Sequence, residues 1–490
     1  MKRTIIIIGA IISISPMLYS FCGFYVSKAD GTIKNKTSQV ILVRDGNRNV
    51  ITMYNDFKGE TKDFAMVVPV PVVLKKSDIH VVDQAIFQRL NDYSAPRLVE
   101  YYDENPCNEY KMNDMAAITA PLSKESLKAE YGLKRKDLSV KVEAQYLVGE
   151  YDILILSAKE SGGLKEWLTI NGYKIPKNAE EVLDPYIKSN LKFFVVKVNE
   201  AEKKKLPGNF LRPLQISFNS PKFMLPIRLG MANADGDQDL IVYAFTRRGR
   251  IECTNYRNVE MATGKNVPLF VKRNFGTFYS NLFSHQWERE DRNISFLEYA
   301  WDVSPSNYVK CDPCVGNPPN QQDIVQAGVW WLQPNWEDYS DVDVENENFN
   351  NSKVYFTRLH FRYNRQSFPQ DLSFQVTPNN ANFQARYIIT HPATGDLSCD
   401  AGRKYLQDLK KRRKNELREL TSLTGTNIDN WQDAIALEDD EIKNPAVQYA
   451  HLVPVLKEDM ANENNTTAGV IFFSIVMLGS AGFLRWKGIV

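Results

Sequence analysis

The sequence predicts an α+β protein, with two or three mixed sheet-and-helix units in an exported ectodomain and one C-terminal transmembrane helix. Three observations predict it. Runs of β-branched residues alternate with stretches at helical spacing along most of the 490 residues. At the start, Lys2 and Arg3 precede the apolar run Ile5–Ile14, the order of a secretory signal. Near the end, Ala468–Leu484 carries no charge over about 17 residues, close to the lower limit for a helix that crosses hydrocarbon.

Composition bounds the rest. A chain of this length exceeds what one hydrophobic core usually organises. Hydrophobic residues at 43%, aromatics at 11% and charged residues at 24% describe a folded chain, not a disordered one. Sixty Lys and Arg against 59 Asp and Glu leave a formal net charge of +1, so no global basic field draws nucleic acid. A mean hydropathy of −0.37 excludes a polytopic membrane protein.

Residues 1–20 read as a signal peptide that is removed. Two readings compete with it: an uncleaved anchor, and a lipoprotein at Cys22, which the bulky Phe21 opposes. Residues 22–137 form an N-terminal α+β unit. SQVILVRD and NVITMYND flank a Gly46-Asn47 turn, and FAMVVPVPVVL follows as a strand that Pro69 and Pro71 confine to an edge or crossover. Val81 to Tyr101 shows helical spacing through Val82, Ile86 and Leu90 and ends near Pro96, and 108–137 reads as a polar linker.

A central α+β unit spans 138–336. Strands are expected at KVEAQYLV and EYDILILSA, helices at Leu164–Leu168 and Ala179–Leu191, and a buried strand at FFVVKV. LQISFN, MLPIRLGM, LIVYAFTR and IECTNYR read as further strands. The acidic, Asn-rich stretch 337–352 is a solvated loop. Residues 353–437 carry the strands KVYFTRLHFRYN, LSFQVT and ARYIITHP and then a basic helix, Asp400–Thr424, ended by Gly425. A stalk, 438–467, leads to the anchor Ala468–Leu484. Arg485 and Lys487 follow it, so the positive-inside rule makes 485–490 a cytoplasmic tail.

Six cysteines in an exported chain suggest disulfides, with Cys22, Cys107, Cys253, Cys311, Cys314 and Cys399 as candidates. The connectivity stays open; a Cys22–Cys107 bridge would staple the new N-terminus to the first unit.

Several stretches carry a resemblance: CGFYVSKADG at 22–31, SQVILVRDG at 38–46, YSAPRLVEYYDENPC at 93–107, NADGDQDLIVYAFTRRGRIECTNYR at 233–257, EYAWDV at 298–303 and RLHFRYNR at 358–365. The chain is similar to the bacterial domain of unknown function family 2330 over most of its expected exported body. The resemblance implies a bacterial, exported protein, anchored at the C-terminus in some members. It implies no reaction.

Each candidate chemistry has a plainer reading beside it. Cys311-Asp312-Pro313-Cys314 has dithiol spacing, but Val315-Gly316-Asn317-Pro318-Pro319 cannot continue the helix that would support a thiolate, so structural disulfides are favoured. Asn233, Asp235, Asp237 and Asp239 alternate as calcium ligands do, yet the bidentate Glu of an EF-hand is missing and an Asx-rich turn is favoured. Lys410, Lys411, Arg412, Arg413, Lys414 and Arg418 suit anionic lipid or a solvated face, the latter favoured. Trp330, Trp331, Trp336 and Tyr339 suit sugar stacking or, more simply, a core with a wet edge. No nucleophile elbow and no metalloprotease motif appears. The sequence therefore points to a non-enzymatic binding or structural module of the cell envelope, without a required cofactor and with an envelope protein or glycan as partner. The alternative is an extracytoplasmic hydrolase or thiol-disulfide oxidoreductase.

Overall fold

The fold comes from a computed structural model that describes residues 24–25, 37–54, 65–108, 140–171, 179–206, 211–231, 236–305, 317–333, 353–432 and 435. It is mixed α+β. Among these residues the chain divides into a large unit, up to Pro268 with Phe275–Gly425, and a small one, Leu269–Asn274 with residues from Thr426 on. In the small unit Phe270 packs on Trp431 with ring centroids 5.6 Å apart, and Trp431 Nε1 donates to Thr426 Oγ1 at 2.9 Å.

The large unit is organised by a nine-stranded sheet. Its strands, in chain order, are β1 (Thr37–Asp45), β2 (Arg48–Met53), β3 (Ile79–Val81), β4 (Leu214–Asn219), β5 (Gln238–Thr246), β6 (Arg257–Glu260), β7 (Ile294–Asp302), β8 (Tyr355–Tyr363) and β9 (Phe383–Gln384). Their spatial order is β6-β7-β8-β5-β1-β2-β4-β3, with β9 pairing β7. β5 runs parallel to β1 and β6 to β7; the other pairs are antiparallel.

The sequence explains the centre of the sheet. In β1 the run Val40, Ile41, Leu42 and Val43 is buried at every position, which marks a strand covered on both faces. β5 is buried at all positions but Asp239, and β8 at all but His360 and Arg362. Each such side chain contributes about 1.5–3 kcal/mol on leaving water. β1 turns into β2 through Gly46, whose φ of 52° supplies the left-handed residue a two-residue hairpin needs. One face of the sheet packs on helix α1 (Ala85–Ser94) and on Trp330–Leu332. On the other, Phe361 of β8 meets Phe374 from the strand Leu372–Val376 at 6.3 Å.

A five-stranded sheet pairs Ala65–Val70 with Lys192–Val198, and that strand with Tyr151–Ala158 and then Val140–Val148. Helices Ser161–Ile170 and Ala179–Lys188 cover it through Leu164, Trp167, Leu183 and Tyr186. The strand with Pro69 is not at the edge expected for it but second in the sheet: among the described residues Phe24–Tyr25 pairs outside it, with Val67 and Met66, and Pro69 has no partner on that side.

Two further expectations are corrected. α1 ends at Ser94, close to the expected end near Pro96, but the residues after it up to Tyr101 are not helical: Arg97–Tyr102 is a strand parallel to Arg386–His391. MLPIRLGM gives only the short strand Met224–Leu225 and then the helical turn Arg228–Met231, because Pro226 interrupts the ladder. The nine-stranded sheet takes strands from all three expected segments, 22–137, 138–336 and 353–437. The aromatic-rich helix α2 (Phe275–Arg289) was not foreseen.

The basic helix α3 (Asp400–Thr424) matches the expected bounds and stops at Gly425, φ 64°. It lies against the strand Arg97–Tyr102 and its continuation: Arg412 pairs with Asp103 at 2.5 Å, and Tyr405 donates to the same carboxylate at 2.6 Å. Cys107 and Cys399 close this contact with a disulfide, Cα atoms 6.0 Å apart across a sequence separation of 292. The Cys22–Cys107 bridge is thereby corrected. Cross-linking so large a loop restricts the unfolded chain, so replacing Cys107 and Cys399 by Ser is expected to lower stability by about 2–4 kcal/mol. Urea unfolding with and without dithiothreitol measures it; equal midpoints would show a bridge without energetic weight.

Candidate functional site

The unusual feature of the main sheet is charge. β8 carries Arg358, His360 and Arg362 at alternate positions, so all three point to one face. Opposite them β7 is bulged: Leu297 faces Leu359 and Tyr299 faces Arg358, leaving Glu298 as the extra residue. The bulge turns Glu298 and Tyr299 to the same side, where a regular strand would oppose them.

Glu298 is fully buried, and every partner it needs is present. Arg358 Nε donates to Oε2 at 2.5 Å, His360 Nδ1 lies 2.7 Å from Oε1, and the Tyr279 hydroxyl of α2 donates to the same Oε1. Arg358 also donates to Asn91 Oδ1 of α1 at 2.9 Å and sits 5.4 Å over the Tyr243 ring. The chain of charge continues to Asp239 of β5. His360 Nε2 stands 3.7 Å from its Oδ1, and Arg362 grips the carboxylate with Nε at 2.7 Å and Nη2 at 3.2 Å.

Burial alone would raise both carboxyls. For Glu298 the charges of His360 and Arg358 overcome it, and for Asp239 those of His360 and Arg362 do, holding each at about 2. Burial would likewise lower His360, but Glu298 and Asp239 raise it above its usual 6.5. Burial, reinforced by Glu298, pushes the Tyr279 hydroxyl well up. Glu298 is 0% and Arg358 5% exposed, so the carboxylate at the heart of the cluster is shut off from solvent.

Access lies beside it. Where α1, β7, β9 and the strands Arg97–Tyr102 and Arg386–His391 converge, a cavity of about 340 Å³ opens. Its walls are aromatic: Tyr93 meets Tyr299 edge-on at 5.4 Å, and Tyr299 stacks on Trp301 at 6.2 Å. Phe383 and Gln384 of β9 add to it, Gln384 held by a bond to the Ala95 carbonyl at 3.1 Å. Arg97 and Arg386, register partners on their strands, line it too, and no Asp or Glu does. This cavity and the ion cluster share α1 and β7, so the bulge that buries Glu298 also aims Tyr299 into the wall.

The residues singled out from the sequence fall elsewhere. Cys107 and Cys399 are bonded. Cys253, a disulfide candidate, is instead a free buried thiol, its pKa pushed up by burial, so it is no thiolate nucleophile. Cys22, Cys311 and Cys314 lie outside the described residues, as do Asn233, Asp235, Trp336, Tyr339, Ala468, Leu484, Arg485 and Lys487. Asp239 is committed to Arg362, and Asp237 accepts from Asn364 Nδ2 at 2.6 Å. Among the described residues no group of three or more His, Cys, Asp and Glu could hold a metal, and no helix is long and apolar enough to cross a membrane. Trp330 and Trp331 are core residues, capped by Arg48 at 4.5 Å and Arg247 at 4.9 Å over their rings. On α3, Arg412 and Arg413 turn inward to Asp103 and Glu416, while Lys410, Lys411, Lys414 and Arg418 are exposed.

The sequence reading missed Glu298, Arg358, His360 and Arg97. The signal was present in RLHFRYNR: three cations on one face of a strand require acids opposite.

The family described as "Uncharacterized protein conserved in bacteria (DUF2330)" matches residues 16–375. No curated protein and no solved structure matches the chain.

Removing one partner of a buried ion pair strands the other, so Glu298→Gln is expected to cost about 3–5 kcal/mol near pH 6. Because the folded pKa lies below the usual 4.5, this stabilisation is complete above 4.5 and is lost as pH falls through about 2. His360 has the opposite sign: its contribution is complete below 6.5 and fades as pH rises through its elevated folded value. Urea midpoints of the wild type and Glu298→Gln at pH 6 and pH 3 check this; a gap that does not narrow in acid would contradict an ionised Glu298.

Proposed function

The chain belongs to this bacterial family of uncharacterised proteins, and from that premise we propose that it is a ligand-binding module of the cell envelope, exported and tethered by its C-terminal apolar segment. One observation carries the binding reading: a cavity lined by aromatic rings and two guanidiniums, with no acid among its lining residues. Binding is favoured over hydrolysis because Glu298 and His360 lie buried in ion pairs behind the cavity wall, and the cavity itself offers no paired acid and base. The disulfide between Cys107 and Cys399 supports an oxidising address, since such bridges persist outside the cytosol. The charge asymmetry around Ala468–Leu484, acidic before and basic after, supports a single span with the body outside.

Topology and tether are tested together. Alkaline phosphatase fused after Arg250 is expected to be active in intact cells, and a chain ending before Ala468 is expected in the soluble fraction while the full chain sediments with membranes. Phosphatase activity appearing only after cell lysis would overturn the exported address, and a full chain in the soluble fraction would overturn the tether.

A further inference from the structure

Arg97 is the group the fold does not explain. Its side chain is nine-tenths buried at the start of its strand; Nη2 donates to the Tyr93 carbonyl, and Nε has no partner. Among the described residues no carboxylate is paired with it. Burial, with a smaller contribution from the Arg358 charge, pulls its pKa below the usual value. The neighbouring cluster does not neutralise it either: Arg358 and Arg362 already match Glu298 and Asp239, so no negative charge is left over for Arg97. A buried cation without a counterion destabilises the fold that holds it. Here that cation lines the aromatic cavity.

We propose that the cavity binds a small aromatic monocarboxylate, its carboxylate on Arg97 and its ring against Trp301 and Tyr299. The inference rests on the binding reading above and names the ligand class for the same site. A guanidinium offers a planar fork that matches a carboxylate, and a flat ring suits walls made of aromatic faces and edges. Only one of the two lining guanidiniums is buried, so one negative charge is what desolvation requires. Cavities of about 340 Å³ hold small ligands with most of their surface covered.

The test is calorimetric titration of the detergent-extracted full chain with 2-naphthoate and with its neutral counterpart, 2-naphthalenemethanol. The carboxylate is expected to bind at one site about tenfold tighter or more, the scale of a charge-assisted hydrogen bond. Arg97→Gln is expected to erase that preference while leaving the thermal midpoint unchanged or higher, since it removes an uncompensated charge; a structural arginine would lower it. Lys414→Gln on exposed α3 is expected to change neither. If Arg97→Gln does not fold, Trp301→Ala is expected to weaken both probes about tenfold. Equal affinity for the two probes, no binding of naphthoate, or a preference that survives Arg97→Gln would overturn the proposal. Such a result with an active phosphatase fusion would remove this ligand class alone, whereas an inactive fusion with intact naphthoate binding would remove the exported address alone.

Discussion

A carboxylate shut away from water stays ionised only if cations surround it, and Glu298 meets that condition on β7 of the largest sheet. Arg358, His360 and Tyr279 reach it from a neighbouring strand and a helix, and Asn91 of α1 reaches Arg358 from a second helix. The bulge in β7 makes this geometry available by freeing one residue from the ladder. A low-dielectric cluster of this kind specifies one arrangement of strands and helices, because any slip leaves a charge unpaired. Through Arg362 and Asp239 the constraint extends to β5, which pairs antiparallel with β8 and parallel with β1.

The same bulge orients the cavity. Tyr299 turns beside Glu298 and stands between Tyr93 and Trp301, so the rigid cluster forms the back of an aromatic wall. The division of roles is physical. Groups inside the cluster are neutralised by one another and hold the fold, whereas Arg97, at the cavity, has no such compensation and is available to a ligand.

Long-range closure is the other organising theme. β1 and β2 lie beside β4 and β5, β8 fits between β5 and β7, and the Cys107–Cys399 bridge ties the strand Arg97–Tyr102 to α3. Most of these pairings join residues far apart in the chain, so the large unit forms only when its early and late segments are both present, at the loop-closure cost such topologies carry.

What could be read along the chain was what local physics controls. Val40 to Val43 announce a strand buried on both faces, the Gly46 turn its hairpin, and Leu420 with Gly425 the last turn of α3, because side-chain period and backbone freedom act over a few residues. The hydropathy of the two ends likewise rests on a short window and supports an address. Only tertiary structure decided that Cys107 meets Cys399 and not Cys22, that Arg412 and Arg413 turn inward, that Cys253 stays free, and that Glu298 sits among cations. Each of these depends on which distant segment packs alongside, and a bulge that reassigns two neighbouring side chains to one face breaks the period from which a face is read.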